Sequence, residues 1–313
     1  MLFVKQRTQG PRTKFMAHYN IPDQYRMGAL PDNSPHDALT LQWFGTAAFR
    51  LTYKDTILLI DPYVTRAGLF RIAFLRLYVN ENLCRELFPR ANHIIVGHSH
   101  CDHLLDVPCI ALETSAVVHG SSSTAAVCRG ADLPDPQIHQ VGTWEPYDIG
   151  DFRVTFVPSK HSKVVMNRIP YPGDITGAPK PPLKTRDYKH GDTYVLVIEA
   201  GDLRMMHMGS ADFFDEELER VGPIDIFLMG LAGRGSTENF MQRVTAHTKP
   251  RIIVPQHFDN FFSPFHKGLL LNHGVDPDGF FADAKQHCPD ADIIMPDILD
   301  GAAFDPATRT RII

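Results

Sequence analysis

The chain has 313 residues, 43% of them hydrophobic, and a formal net charge of −5. A chain of this size can bury a full core as one large α/β domain, and its acidic balance disfavours nucleic acid as a partner. No run of about 18 apolar residues could cross a bilayer, and Met1–Gly10 lacks the apolar stretch of a secretory signal; a cytoplasmic protein without an integral membrane segment is expected. Its five cysteines are odd in number and lack a C-x-x-C pair, which argues against a disulfide framework.

In chain order, residues 1–38 mix Pro, Asn, Asp and Gly with little periodicity, and read as an N-terminal arm packed on a single domain of residues 39–313. Alternating apolar residues predict strands at Leu39–Trp43, Ala48–Tyr53 and Thr56–Ile60, the last two joined by a tight turn at Lys54-Asp55. Asp61 then sits at a strand exit, because Pro62 cannot continue a ladder. Its carboxylate could accept a hydrogen bond from the ring N–H of a metal-binding histidine; an ordinary turn aspartate is the equal alternative. Ala67–Val79 is too apolar for an exposed loop. A packed helix is the expected reading, and an apolar flap beside the site is the alternative.

Ile94-Ile95-Val96-Gly97 reads as a buried strand, which places His98-Ser99-His100-Cys101-Asp102-His103 on the loop at its C-terminal end. Residues two apart in an extended loop point the same way, so His98 and His100 can present imidazoles to one cation. Asp102 and His103 face a neighbouring point, where a second cation could sit about 3.5–4 Å away. Four potential ligands in six residues outweigh the alternative of a His-rich surface turn. Cys101 is turned away from the pair and reads as a packing thiol.

A short helix over residues 104–112, a strand ending at His119, and a helix through Cys128 capped by the serines at 121–123 follow. His119 reads as structural rather than ligating. The strand Phe152–Val157 leads to His161, a candidate third imidazole for the first cation. Residues 164–190 crowd prolines with lysines and arginines, and read as a lid suited to an anionic substrate, with a solvated basic loop as the equal alternative. Further strands at 193–199 and 203–208 form a hairpin, the second running into Gly209-Ser210-Ala211-Asp212. Strands at 224–229 and 251–257 flank a helix over 236–247, and a tail helix near 278–287 precedes strands at 293–295 and the terminus.

The pattern H-x-H-x-D-H after a strand, with single His, Asp and His residues at later strand ends, resembles the metallo-β-lactamase superfamily from about Leu39 to Met295. The segments Trp43–Ala47, Ile60-Asp61-Pro62 and Val157-Pro158 resemble the branch containing L-ascorbate-6-phosphate lactonase and N-acylphosphatidylethanolamine phospholipase D. The resemblance implies a four-layer αββα sandwich with its site at one edge of two sheets. It implies His98, His100 and His161 on one metal, and Asp102, His103 and His257 on another. The family's bridging aspartate normally follows the strand-end glycine directly, whereas here Ser210 stands there. Asp212 is therefore assigned as the bridge, by period two.

The ligand set implies two divalent cations, zinc first with manganese or iron as alternatives, that activate a water for hydrolysis. Asp102 would orient that water and take its proton. Lys160 and Arg234, with Lys163 and Arg168, could pair with an anionic group. Phe258, with Phe261, Phe262 and Phe265, could wall an apolar pocket; ordinary surface and core roles are the alternatives. A small-molecule lactone, ester or phosphodiester with both anionic and apolar parts is expected. The rivals are an iron-dependent redox enzyme on the same fold and a non-catalytic metal-binding protein.

Overall fold

The structure, a computed structural model, describes residues 18–164 and 166–312. Six strands of the N-terminal half, β1 (Leu39–Trp43), β2 (Phe49–Tyr53), β3 (Thr56–Ile60), β4 (His93–Ile95), β5 (Val117–Gly120) and β6 (Ile138–Gln140), begin one sheet. A second sheet is built from β7 (Pro146–Ile149), β8 (Phe152–Pro158), β9 (Tyr194–Ala200), β10 (Leu203–Met208), β11 (Ile226–Gly230), β12 (Ile252–Gln256) and β13 (Asp292–Ile293). The chain then returns to the first sheet with β14 (Gly301–Asp305) and β15 (Thr310–Ile312). The strand orders are 15-14-1-2-3-4-5-6 and 13-12-11-10-9-8-7.

Period-two alternation explains the stacking. On β3, Leu58 and Ile60 face the core between the sheets, while Leu59 packs with Ile94, Val96 and Val118 on the outer side. That outer side is covered by α2 (Glu81–Leu87), α3 (Cys101–Leu104), α4 (Val107–Thr114) and α5 (Ser122–Gly130). The second sheet is covered by α6 (Asp215–Val221), α7 (Phe240–Thr248) and α8 (Pro277–His287), through Leu218, Val244 and Phe280. The result is the four-layer αββα sandwich. Local signals set several helix starts: Ser121 caps α5 by accepting from Thr124 N, and Asp276 caps α8 by accepting from Gly279 N at 3.0 Å.

Strands β3 to β6 run parallel, as do β10 to β13, so their C-terminal ends collect at one edge of the sandwich. Loops leaving that edge carry the chemistry-bearing residues.

Two expectations need correction here. The segment 236–247 divides into a short turn at 234–236 and α7, which starts only at Phe240. The apolar run 67–79 is packed only in part: Ala67 and Leu77 are buried and Ile72 and Val79 pack against the core, whereas no residue of α1 (Leu69–Phe74) is fully buried. Of the N-terminal arm, residues 1–17 lie outside the described residues; the rest runs along the sandwich, with Ile21 and Met27 buried in the central core and a bridge from Arg26 to Met295.

Candidate metal centre

The motif loop leaves β4 and begins α3 at Cys101, so consecutive donors lie on a strand exit and a first helical turn. Tyr194 N donates to Gly97 O at 2.8 Å and Ser99 N to His190 O at 2.8 Å, which stitches this loop to the chain entering the second sheet. His161 arrives after β8 and His257 after β12. One nitrogen from each of His98, His100 and His161 lies within 4.8 Å of the others, and so do donor atoms of Asp102, His103 and His257. The two groups adjoin, with the His98 and His103 ring centroids 3.8 Å apart.

Hydrogen bonds decide which nitrogens remain available. His161 Nδ1 donates to Ser162 O at 2.8 Å, leaving Nε2 with its lone pair. His100 Nε2 donates to Pro170 O at 2.9 Å, leaving Nδ1. His103 Nδ1 donates to Asp61 Oδ2 at 2.7 Å, leaving Nε2. Asp61 is fully buried and its other oxygen accepts from Gly97 N at 2.7 Å, so the carboxylate ties β3's exit to the motif loop. Gly209 closes this corner, since a Cβ there would meet His103 Cε1 at 3.1 Å and Asp61 Oδ2 at 3.2 Å.

The electrostatics suit a cation. Burial first, and then the neighbouring imidazoles, hold His98 well below its ordinary pKa. Burial takes His100 down to about 4 and His161 to about 3. All three are therefore neutral, the ligating form. Burial also disfavours charge on Asp102 and His103, but their mutual attraction, aided by His257 and Asp61, outweighs it: the carboxyl is held well below its usual range and the imidazole is raised. Asp102 Oδ2 lies 3.3 Å from His257 Nε2 and 3.7 Å from His103 Nε2. The buried His98 Nε2 has no hydrogen-bond partner among the described residues, as expected of an atom whose partner is a cation. The residues fit a metal on this ground and on the chemistry of the donor set.

Asp212 belongs to neither donor group. The chain turns after Gly209, with Asp212 N donating to Ser210 O at 3.0 Å, so period-two reasoning fails there. The Asp212 carboxylate accepts instead from Phe213 N at 2.8 Å. Ser210 lines the cavity, and its Oγ accepts from Ser162 N at 2.9 Å.

The donors open into a cavity of about 1270 Å³. Its walls include Leu69 and Ile72 of α1, Pro170, Tyr171 and Tyr188 from 164–190, and the pair Phe261 and Phe262. Arg234 is on the wall but ion-paired with Asp283. Lys160 is not on it; its ammonium sits 4.3 Å over the Phe214 ring, whereas Lys163 lines the cavity. Phe258 is fully buried and stacks on Trp43 with centroids 5.0 Å apart, so it belongs to the core. Phe261 takes the expected aromatic place, edge-on to His257 at 4.9 Å.

Sequence reasoning missed the clamp behind His257. Asp259 Oδ1 accepts from Thr46 N at 2.8 Å, Thr46 O accepts from His257 N at 2.8 Å, and Asp259 Oδ2 pairs with buried Arg66 at 2.6 Å. Gly45 makes room: a Cβ there would stand 1.7 Å from Arg66 Nη2. The nearness of Asp259 to His257 was a visible signal, while nothing in the sequence marked Arg66.

Residues 40–257 match the family described as a β-lactamase superfamily domain. A protein of Methylobacterium nodulans described as a metal-dependent hydrolase is 26% identical over 229 residues, covering 71% of this chain and 86% of that one. Among solved structures, a metallo hydrolase from Ignicoccus hospitalis superposes with a TM-score of 0.53 at 17% identity, covering 85% of this chain and 98% of that one. A diiron β-hydroxylase from Streptomyces venezuelae gives 0.56 at 14% identity, over 87% of this chain and 55% of that one. At these identities the structural likeness is one of fold.

Proposed function

The chain belongs to the metallo-β-lactamase superfamily, and from that premise we propose that it is a metal-dependent hydrolase of a lactone, ester or phosphodiester with an anionic and an apolar part. His98, His100 and His161 would hold one divalent cation, and Asp102, His103 and His257 a second. Zinc best suits so imidazole-rich a set, with manganese or iron as alternatives. When bound, such cations supply Lewis acidity and a source of nucleophilic water at neutral pH.

The protein's own groups do the rest. Asp61 holds His103 in one tautomer and one orientation. Asp102, kept ionised by His103 and His257, accepts the proton of the attacking water. Segment 164–190 acts as a lid, reaching His100 through Pro170 O. Lys163 meets the anionic part of the substrate, with Arg234 beside it held by Asp283, and Phe261 and Phe262 meet its apolar part.

The observation that carries this reading is the convergence of two three-residue donor groups, from loops of both sheets, around a buried His98 Nε2 without a partner. The test is turnover of a panel of lactones and bis-(p-nitrophenyl) phosphate with zinc or manganese. Asp102→Ala should lower that turnover by at least about 100-fold with an unchanged circular dichroism spectrum. Undiminished turnover in this variant would refute the assigned roles.

A further inference from the structure

Helix α1 breaks the usual rule for apolar helices. Five of its six residues, Leu69-Phe70-Arg71-Ile72-Ala73-Phe74, are apolar, yet none is buried. Leu69 is 60% exposed, Phe70 68% and Phe74 69%. The Phe70 and Phe74 rings meet each other, with centroids 5.4 Å apart. The helix is nonetheless fixed in place: Thr185 Oγ1 donates to Ile72 O at 2.7 Å, and Leu77 N to Leu183 O at 2.7 Å. On the lid segment, Val164 and Met166 are exposed too, Met166 at 87%. Leu69 and Val164 both line the cavity, so this apolar surface is continuous with its mouth.

The surroundings of the patch are basic. Residues 69–79 and 163–190 together hold eight lysines and arginines against two aspartates, in a chain of net charge −5. Of these eight only Lys180 forms an ion pair, with Asp132, among the described residues. Exposed apolar side chains on segments rich in cations that mostly lack ion-pair partners match the interface of an anionic bilayer, where rings and thioethers enter the acyl boundary while guanidinium and ammonium groups meet headgroups. A second copy of the chain fits poorly, because a two-fold contact would set one basic rim against another.

We propose that α1 and the adjoining lid form a docking surface for an anionic lipid bilayer, with Phe70, Phe74 and Met166 as the inserted side chains. The cavity then opens at the lipid boundary, and a substrate with an apolar part reaches the site without leaving it. This docking is independent of the hydrolase reading, since it involves no chemistry at the donor groups.

Co-sedimentation of the full chain with vesicles tests it. Vesicles containing phosphatidylglycerol should bind the protein at low salt and release it as salt rises, while vesicles of phosphatidylcholine alone should bind it far less. Phe70→Ser/Phe74→Ser should weaken binding to the anionic vesicles by at least about tenfold, with an unchanged circular dichroism spectrum and unchanged turnover of a water-soluble substrate. Absence of wild-type binding, or equal binding by the double variant, would overturn the proposal. So would a wild-type dimer that becomes monomeric in the double variant without any vesicle binding. If vesicle binding fails while soluble substrates are still turned over, docking falls and the hydrolase reading stands.

Discussion

His103 Nδ1 donates to Asp61 Oδ2 at 2.7 Å, and both side chains are shut off from solvent. Asp61 takes a left-handed backbone conformation with φ of 43° to reach that place, a strain a non-glycine residue accepts only where its surroundings enforce it. Asp61→Asn keeps the shape but loses the charge that fixes the histidine tautomer. Metal affinity should fall by about 10- to 100-fold, read by competition with a chromophoric chelator. Unaltered affinity would reduce Asp61 to a turn residue.

Ser210 holds the position after Gly209 at which the family resemblance implies a bridging carboxylate, and neither donor group includes it or Asp212 among the described residues. Calorimetric titration of metal-free protein with zinc should therefore resolve a tight and a weaker binding step. Ser210→Asp should tighten the weaker step by about tenfold or more, roughly 1.4 kcal/mol. A single step of two equivalent ions in the wild type would contradict this.

Arg66 and Asp259 form an ion pair with side chains 1% and 0% exposed. Removing one partner strands the other's charge in the interior. Arg66→Ala should lower unfolding stability by about 3–5 kcal/mol, measured by urea denaturation. Arg66→Met/Asp259→Leu, which leaves no buried charge, should be the more stable of the two variants; the reverse order would deny that the charge is what matters.

His119 stands between His93 and His139, its Nε2 3.2 Å from His93 Nδ1 and its Nδ1 3.0 Å from His139 Nδ1. Burial first, then the two flanking imidazoles, lower its pKa to about 3. An unfolded histidine titrates near about 6.5, so below that pH only the unfolded chain gains this proton. The contribution is therefore complete above about 6.5 and is lost as pH falls toward 3, amounting to about 2 kcal/mol at pH 5. Denaturation of His119→Gln should show a correspondingly shallower loss of stability between pH 7.5 and 5. Parallel pH profiles for the two proteins would count against it.

The hexapeptide was legible because four donors are consecutive and follow an apolar strand, so their meeting needs no tertiary information. Alternation likewise exposed β1–β3 and β8–β10. What failed did so for local reasons. Asp212 was misplaced because a turn after Gly209 breaks the two-residue period. Phe258 was misplaced because His257 adopts a φ of 57°, a left-handed turn after which the next side chain enters the core. Within the run at 67–79, Ala67 and Leu77 find cover while Phe70 and Phe74 of α1 do not, so apolar composition reports what a segment avoids, not whether the fold provides cover for each residue.

The donors are split between the two halves of the sandwich: four residues from the loop after β4, and one each from the loops after β8 and β12. Any sliding of one sheet over the other would change the span between them. The layer that resists such shear includes Met205, on the β10 face that also turns His207 toward Ala47 and Phe49 of the first sheet, a pliant thioether among stiffer branched side chains. Coordination is thus gauged by distant packing, and a Met205→Leu exchange deep in that layer becomes a way to tune the metal centre without altering a single ligand.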